Sequence, residues 1–204
     1  MSYSNEIFDL IDAVKVIDKI TDEEWKKDLS DRKTKELEFH DRDRDEKFEQ
    51  ETITNSDTYE QFYGNRKYYR AAKRSKLYVQ DWIATESKGK IFLDYACGNG
   101  DYAIHACKSG AALALGFDIS GTSIKNATKF AKKENLKINK EHGVCFFQAD
   151  AENTKLPDNC IDTVICSGML HHLDLSHAFP ELRRILKPNG KILVVEALDY
   201  NPAI

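Results

Sequence analysis

The sequence predicts an α/β protein with a doubly wound, mostly parallel sheet and an N-terminal helical extension. From Lys90 onward, short apolar runs alternate with helical segments, which is the order that builds parallel sheets. Before that point, apolar residues first recur at helical spacing and charged residues then dominate. We therefore divide the chain into a charge-rich helical extension, residues 1–50, and an α/β domain, residues 51–204.

The extension begins with an amphipathic helix. Residues 6–20 place apolar side chains at positions 7, 10, 11, 14, 17 and 20, which lie on one helical face. Thr21 and Glu24 form a capping-box pattern, which predicts a second helix containing Trp25. Charges of both signs dominate residues 31–50, and we interpret this segment as a solvated helix face or linker rather than a binding surface.

An aromatic-rich segment, residues 57–86, precedes the predicted sheet. Its helical spacing is good from Asn65 to Ile83, so we expect most of its aromatic side chains to pack this helix against the sheet. A minority near Tyr63–Tyr68 is a candidate roof for a ligand pocket. The aromatic residues are Tyr59, Phe62, Tyr63, Tyr68, Tyr69, Tyr78 and Trp82.

Five strand-like runs then follow, at residues 91–95, 112–117, 143–148, 161–167 and 191–197. Helical segments are predicted near residues 101–109, 121–135 and 174–187. Pro188-Asn-Gly190 is typical of a helix end, so we expect it to terminate the last of these helices. Sheets of this kind bind ligands at the C-terminal ends of their strands.

A glycine-rich turn follows the first strand, within Ile91–Gly100. Gly98-x-Gly100-x-x-Ala103 satisfies a dinucleotide-binding pattern, and Asp118 lies twenty residues beyond Gly98 (118 − 98). A nicotinamide or flavin enzyme is therefore one interpretation. Against it, the strand before a dinucleotide turn is normally apolar up to the first glycine, whereas Asp94 interrupts this one. A carboxylate is costly there unless a polar partner needs it.

Two further acids end the next strands. Asp118 ends the second strand and Asp150 ends the third, so three carboxylates with Asp94 converge on one edge of the sheet. They would repel a pyrophosphate. They would accept hydrogen bonds from a ribose diol, an adenine amine and an ammonium group, and such charge-assisted bonds are strong. This pattern favours S-adenosylmethionine as the ligand.

Residues 91–197 resemble the class I S-adenosylmethionine-dependent methyltransferases of the broad small-molecule type. The segments that carry the resemblance are spread over this range, which is about half of the chain, in the right order and spacing. They are residues 93–100, 116–120, 148–151, 156–158, 161–173 and 182–193.

The resemblance implies a role for each matching position. Asp94, Gly98 and Gly100 would shape the methionine end of the pocket. Asp118 would bind the ribose hydroxyls, with Ile119 packed on adenine; Asp150 would accept from the adenine amine, Ala151 would present its N–H to the ring, and Ser167 would help close the site. Ala96 departs from the family, which usually has the first of three glycines at that place.

Two histidines follow the fourth strand, near the expected position of the methyl acceptor. His171 and His172 are each a candidate general base or a histidine that packs against or caps the next helix, and we prefer His171 as the base. Enzymes that methylate exocyclic base amines resemble one another in an Asn/Asp-Pro-Pro-aromatic turn here. This chain has Ser167-Gly-Met-Leu170 instead, so a small-molecule acceptor is favoured over a protein, and nucleic acid comes last.

Composition narrows the setting of the protein. The net charge is −4 and the pI about 5.9, which argues against nucleic acid as a partner. We expect no signal peptide, since the N-terminus lacks basic and apolar regions, and no membrane span, since no apolar run approaches roughly 20 residues. The five cysteines form no Cys-x-x-Cys pair, so we expect free thiols in the cytoplasm and no metal site.

The predicted last strand raises a question about its outer edge. A seven-stranded family sheet would continue beyond residues 191–197, which would otherwise form an exposed apolar edge. Three explanations compete: a truncated chain, which we favour, cover by residues 1–50, or a dimer through this edge.

Two alternative functions also stay open, a cofactor-binding domain without activity and a nicotinamide-dependent oxidoreductase.

Overall fold

The computed structural model describes residues 3–51 and 66–196, which contain a five-stranded parallel sheet between two layers of helices. The strands are β1 (Ile91–Tyr95), β2 (Leu113–Asp118), β3 (Val144–Gln148), β4 (Ile161–Ser167) and β5 (Leu186–Val195). Their order in the sheet is β3-β2-β1-β4-β5, and every neighbouring pair is parallel. The predicted doubly wound sheet is confirmed.

The described helices fall into an N-terminal group and a group that alternates with the strands. The first group is α1 (Tyr3–Ile17), α2 (Asp22–Asp28), α3 (Asp31–Glu51) and α4 (Arg66–Glu86). The second is α5 (Asp101–Lys108), α6 (Gly121–Lys133) and α7 (Leu175–Ile185), with a short 3₁₀ turn at Leu170–His172 before α7. Among the described helices, none is both long enough and apolar enough to cross a membrane.

The amphipathic stripe predicted for α1 forms part of the core. Ile7, Leu10 and Val14 are buried in the same hydrophobic cluster as Leu93 of β1 and Leu115 of β2. The N-terminal helix therefore packs directly on the sheet.

The predicted capping box opens α2. Thr21 Oγ1 accepts from the backbone N–H of Glu24 at 3.3 Å, and a Glu24 side-chain oxygen accepts from the Thr21 N–H at 2.9 Å. Such reciprocal bonds satisfy donors that a helix start leaves unpaired.

Both faces of the sheet are covered, which explains the near-continuous apolar strands. Ile91, Leu93 and Tyr95 of β1 belong to the cluster that contains α1. Phe92 points the other way, into a second cluster that contains Val79 of α4 and residues of α5 and α6. The sheet therefore has a buried centre, and its strand ends are left to form a site.

The end of α7 differs from the prediction. The helix stops at Ile185, and Pro188 lies inside β5 instead of terminating the helix. Leu186 pairs with Ile161, and pairing resumes at Lys191 after a register shift. Proline lacks an N–H but is tolerated at the irregular part of an edge strand, so the helix ends three residues before Pro188 and the strand begins at once.

The packing expected of the aromatic segment is wrong for Tyr78. That side chain is exposed on α4, while the aliphatic Val79 and Ile83 are buried against the sheet. The pocket roof near residues 63–68 falls on parts that the structure does not describe, since Tyr59, Phe62 and Tyr63 lie outside the described residues, as do the side chains of Tyr68 and Tyr69.

Candidate cofactor site

Three buried carboxylates lie at the C-terminal ends of neighbouring strands. Asp94 is the penultimate residue of β1, beside β2; Asp118 ends β2 beside β3; and Asp150 follows β3 by two residues. All three are buried. The strand order thus brings together acids that are far apart in the sequence, as predicted.

Asp94 joins the first strand to the helix that follows it. One of its carboxylate oxygens accepts from the Ala103 N–H of α5 at 3.2 Å. Burial raises the pKa of this carboxyl to about 7, and the nearby charges of Asp101 and Asp118 add to the shift. Burial therefore favours the neutral form of Asp94.

Asp118 shapes the turn in which it lies. Oδ2 accepts from the Gly98 N–H at 2.8 Å, and Oδ1 accepts from the Ser120 N–H at 3.0 Å. Ser120 in turn caps α6 by accepting from the Ser123 N–H at 3.0 Å. Because each carboxylate oxygen has two lone pairs, these bonds leave Asp118 acceptor capacity for a ligand.

The glycine turn uses left-handed backbone at three positions. Gly98 and Gly100 have φ of +52° and +82°, and a Cβ at Gly100 would lie 2.6 Å from the Phe146 ring. Ala96 has φ of +57°, a conformation that costs a non-glycine residue roughly 1–2 kcal/mol. The departure at Ala96 thus strains the backbone.

A cavity opens between these strand ends and α3. Six of the nine predicted cofactor-binding residues line it: Ala96, Asp118, Ile119, Asp150, Ala151 and Ser167. Asp94, Gly98 and Gly100 do not line it. On the side where the methyl acceptor is expected, Gly168, Met169 and His172 line the cavity.

Helix α3 forms the opposite wall. Lys33 Nζ lies 2.5 Å from Asp150 Oδ2 and 2.8 Å from Glu152 Oε2, and the Lys33 side chain is only 15% exposed. Burial works to lower the pKa of Lys33, but the bonds to the two carboxylates outweigh it and raise that pKa. The interpretation of residues 31–50 as a solvated face is therefore wrong for this side of α3.

Further contacts attach α3 to the strand ends. Arg32 binds Glu152 and the His172 carbonyl, while Asp41 accepts from Ser120 Oγ at 2.5 Å. The cavity beneath measures about 140 Å³, below the roughly 300–1,000 Å³ of small-molecule pockets. In this arrangement α3 closes the site.

The two histidines take different positions. His172 lines the cavity, whereas His171 pairs with Glu196, its Nδ1 lying 2.8 Å from Oε2. The other Glu196 oxygen accepts from the N–H groups of Met169 and Leu170, each at 2.8 Å. Burial works to raise the pKa of Glu196, but His171 and these N–H groups lower it below its usual value.

The site contains residues that the sequence reasoning missed. Glu196 carried no local signal, because its partners lie 25 to 27 residues away in the chain. The cavity-lining residues of α3 did carry one, since they recur every three or four positions on one helical face. They are Arg32, Lys33, Glu36, His40 and Arg44.

The residues present fit S-adenosylmethionine. Asp118 and Asp150 offer acceptors for the hydroxyl and amine groups of an adenosine, and the intervening Ile119 offers an apolar side chain for its ring. In the described part of the chain, no cluster of histidine, cysteine or acidic residues suits a metal ion.

Comparison with known proteins gives the family. Residues 93–194, half of the chain, match the family described as "Methyltransferase domain". Sterol 24-C-methyltransferase erg6 of Aspergillus fumigatus is 31% identical over 132 residues, which are 64% of this chain and 34% of the relative. The ubiquinone/menaquinone biosynthesis C-methyltransferase UbiE of Rickettsia akari is 35% identical over 111 residues, covering 51% and 43%.

A solved structure agrees on the fold. The PH0226 protein from Pyrococcus horikoshii superposes with a TM-score of 0.51 at 26% identity, covering 67% of this chain and 64% of that chain. The chain spans less than half the length of the two curated relatives. With its sheet order, its acids at the strand ends and the match over residues 93–194, the chain belongs to the methyltransferase domain family, among the class I S-adenosylmethionine-dependent methyltransferases.

Proposed function

We propose that this chain binds S-adenosylmethionine between the strand ends and α3 and transfers its methyl group to a small-molecule acceptor. The observation that carries the proposal is the shared cavity wall of Asp118, Ile119 and Asp150, in which two buried carboxylates flank an apolar side chain. The cofactor supplies an activated methyl group on a sulfonium. The protein supplies alignment and exclusion of water.

Each wall residue takes a defined part of the cofactor. Asp118 binds the ribose hydroxyls, Ile119 packs on adenine, and Asp150 accepts from the adenine amine. The Ala151 N–H faces the ring, and Ser167 closes the acceptor side. Asp94, Gly98, Gly100 and Ala96 shape the methionine end through the turn that they build.

Calorimetry with S-adenosylhomocysteine and with NAD tests the proposed ligand. We expect S-adenosylhomocysteine to bind and NAD not to bind. Replacing Asp118 by alanine should weaken S-adenosylhomocysteine by at least about tenfold, because the charge-assisted bonds to the diol are lost. Binding of NAD alone would exclude the methyltransferase function.

A matched variant separates ligand binding from fold stability. Asp174→Ala removes the N-terminal cap of α7, which does not line the cavity, and leaves the Asp118 carboxylate in place. We expect it to lower the unfolding temperature and to change the affinity far less than Asp118→Ala does. Equal losses of affinity in the two variants would attribute the effect of Asp118→Ala to lost stability alone.

The acceptor is proposed to be a small molecule and not a nucleic acid. The names of the two curated relatives, a sterol methyltransferase and a ubiquinone/menaquinone biosynthesis methyltransferase, support a small acceptor, and the net charge of −4 disfavours nucleic acid. Transfer of labelled methyl groups to a metabolite extract would identify the acceptor. Label recovered only in macromolecules would contradict this assignment.

For an oxygen or nitrogen acceptor we propose His171 as the general base, oriented by Glu196. The partly buried Glu196 carboxylate is held by two backbone N–H groups and fixes the ring through Nδ1. His171→Gln should lower kcat by about 10²–10⁴-fold, because the proton of the acceptor then has no base. Affinity for S-adenosylhomocysteine should not change.

His172→Gln is the comparison for this assignment. The His172 ring lines the cavity, and its Nδ1 lies 3.4 Å from Glu36 Oε1. Glu196→Gln should lower kcat less than His171→Gln and shift the acid limb of the pH profile, as a positioning residue would. A large loss of kcat in His172→Gln alone would transfer the base role to His172.

The setting and assembly of the protein are further proposals. All five cysteines are free thiols, which supports the cytoplasm. The exposed apolar side chains of β5 support a dimer through that edge. The division at residue 50 stays a prediction, and α1 packs into the core of the α/β domain.

A further inference from the structure

One cation lies directly on the glycine turn. The Arg44 guanidinium of α3 covers the Gly98 backbone so closely that a Cβ added to Gly98 would overlap Nη1. The same nitrogen donates to Ser123 Oγ at 3.3 Å. Its charge also acts to lower the pKa of the Cys97 thiol, although burial keeps that pKa well above its usual value.

The position of Arg44 is fixed by the preceding turn of α3. Asp41, three residues earlier on the same helical face, accepts from Ser120 Oγ at 2.5 Å and from the Thr122 N–H at 3.3 Å. These bonds hold α3 at the start of α6. Arg44 therefore reaches the turn from an anchored helix.

The cations that line the cavity within the described residues differ in their surroundings. Arg32 and Lys33 bind the carboxylates of Glu152 and Asp150, at the end predicted for adenine. Within the described residues, Arg44 instead donates to the neutral hydroxyl of Ser123, beside the glycine turn. Its planar guanidinium has five donors, which match a carboxylate in two parallel bonds.

The methionine portion of the cofactor carries both an ammonium and a carboxylate. Asp94, which is assigned to the methionine end, suits the ammonium but would repel the carboxylate. We propose that Arg44 binds that carboxylate and thereby selects ligands that carry the amino-acid end. This assignment rests on the proposed function and adds a binding residue from the N-terminal extension.

Two ligands that differ in the amino-acid end test the proposal. S-Adenosylhomocysteine carries it, whereas 5′-methylthioadenosine does not. By calorimetry, Arg44→Met should weaken S-adenosylhomocysteine by at least about tenfold, because a charge-assisted pair is lost, and leave methylthioadenosine within about twofold. Arg42→Met, an exposed position on the same helix, is the matched control and should change neither affinity.

The outcomes distinguish the role proposed for Arg44 from the proposed function itself. If Arg44→Met weakens both ligands equally, Arg44 only closes the cavity and the carboxylate assignment fails. Unchanged S-adenosylhomocysteine affinity in Arg44→Met also overturns it. If the wild-type chain binds neither ligand, the proposed function itself fails. Thermal unfolding of each variant, measured alongside, identifies any loss that comes from misfolding.

Discussion

At the scale of single residues, Asp94 shows how a side chain of the site can lower the stability of the fold. Its carboxyl is fully buried at the end of β1, and burial raises its pKa to about 7. An acid with a raised pKa holds a proton in the folded state that the unfolded chain releases. Its contribution to stability is therefore fully present below the ordinary pKa of 3.8 and is lost as pH rises through about 7.

Asp94→Asn should remove this dependence, since the amide cannot ionise and can still accept from the Ala103 N–H. Relative to wild type, the variant should gain free energy of unfolding between pH 4 and pH 8, by at most about 4 kcal/mol. Urea unfolding between pH 4 and pH 8 measures this free energy, and Asp81→Asn, at an exposed position, is the control. A difference that does not vary with pH would mean that Asp94 ionises normally.

Six of the nine predicted cofactor residues line the cavity, and the physical reason that the sequence indicates them is local. A charged residue that ends an apolar strand stands out, and parallel strands bring such ends together. Backbone strain cannot be predicted from such a local pattern, because the residue types around Ala96 do not determine its positive φ. The pairing of His171 with Glu196 was equally hidden, since it depends on where β5 ends beside β4.

At the scale of elements, α3 is where local pattern and tertiary structure disagree. Its charges of both signs are typical of a solvated helix, and much of its surface is solvated. Yet Lys33 bonds to Asp150 across 117 residues, and Leu37 is buried. A sequence with balanced charges does not indicate whether a helix face is solvated or forms ion pairs with another element. The helix thus serves as a wall of the site.

The capped helix α2 and the amphipathic α1 were predicted because their signals are short-range. Thr21 bonds to a residue three positions away, and the apolar stripe of α1 needs only helical periodicity. The start of β5 was not predicted. Pro188 indicates a helix end, whereas Leu186 already pairs with Ile161 of β4. Helix ends thus follow local chemistry only when no strand competes for the same residues.

At the scale of the whole molecule, one edge of the sheet stands apart. Within the described residues β5 has β4 as its hydrogen-bonded neighbour, and Ile192 and Val194 on it are 38% and 48% exposed. The opposite edge strand, β3, is covered, with Val144, Cys145 and Phe147 buried. Exposed apolar edges pair readily with other chains, so β5 is the face through which two copies would associate.

Sedimentation velocity of the protein at high micromolar concentration tests this association, and a dimer is expected if a second copy, and not a continuation of the sheet, covers this edge. Val194→Lys should shift it to a monomer, because a charge on the paired edge is unfavourable. Val16→Lys, which places the same charge on an exposed apolar position of α1, should leave the dimer intact. S-Adenosylhomocysteine affinity should be unchanged in both variants, since neither position lines the cavity. A wild-type monomer, or equal effects of the two lysines, would exclude β5 as the interface.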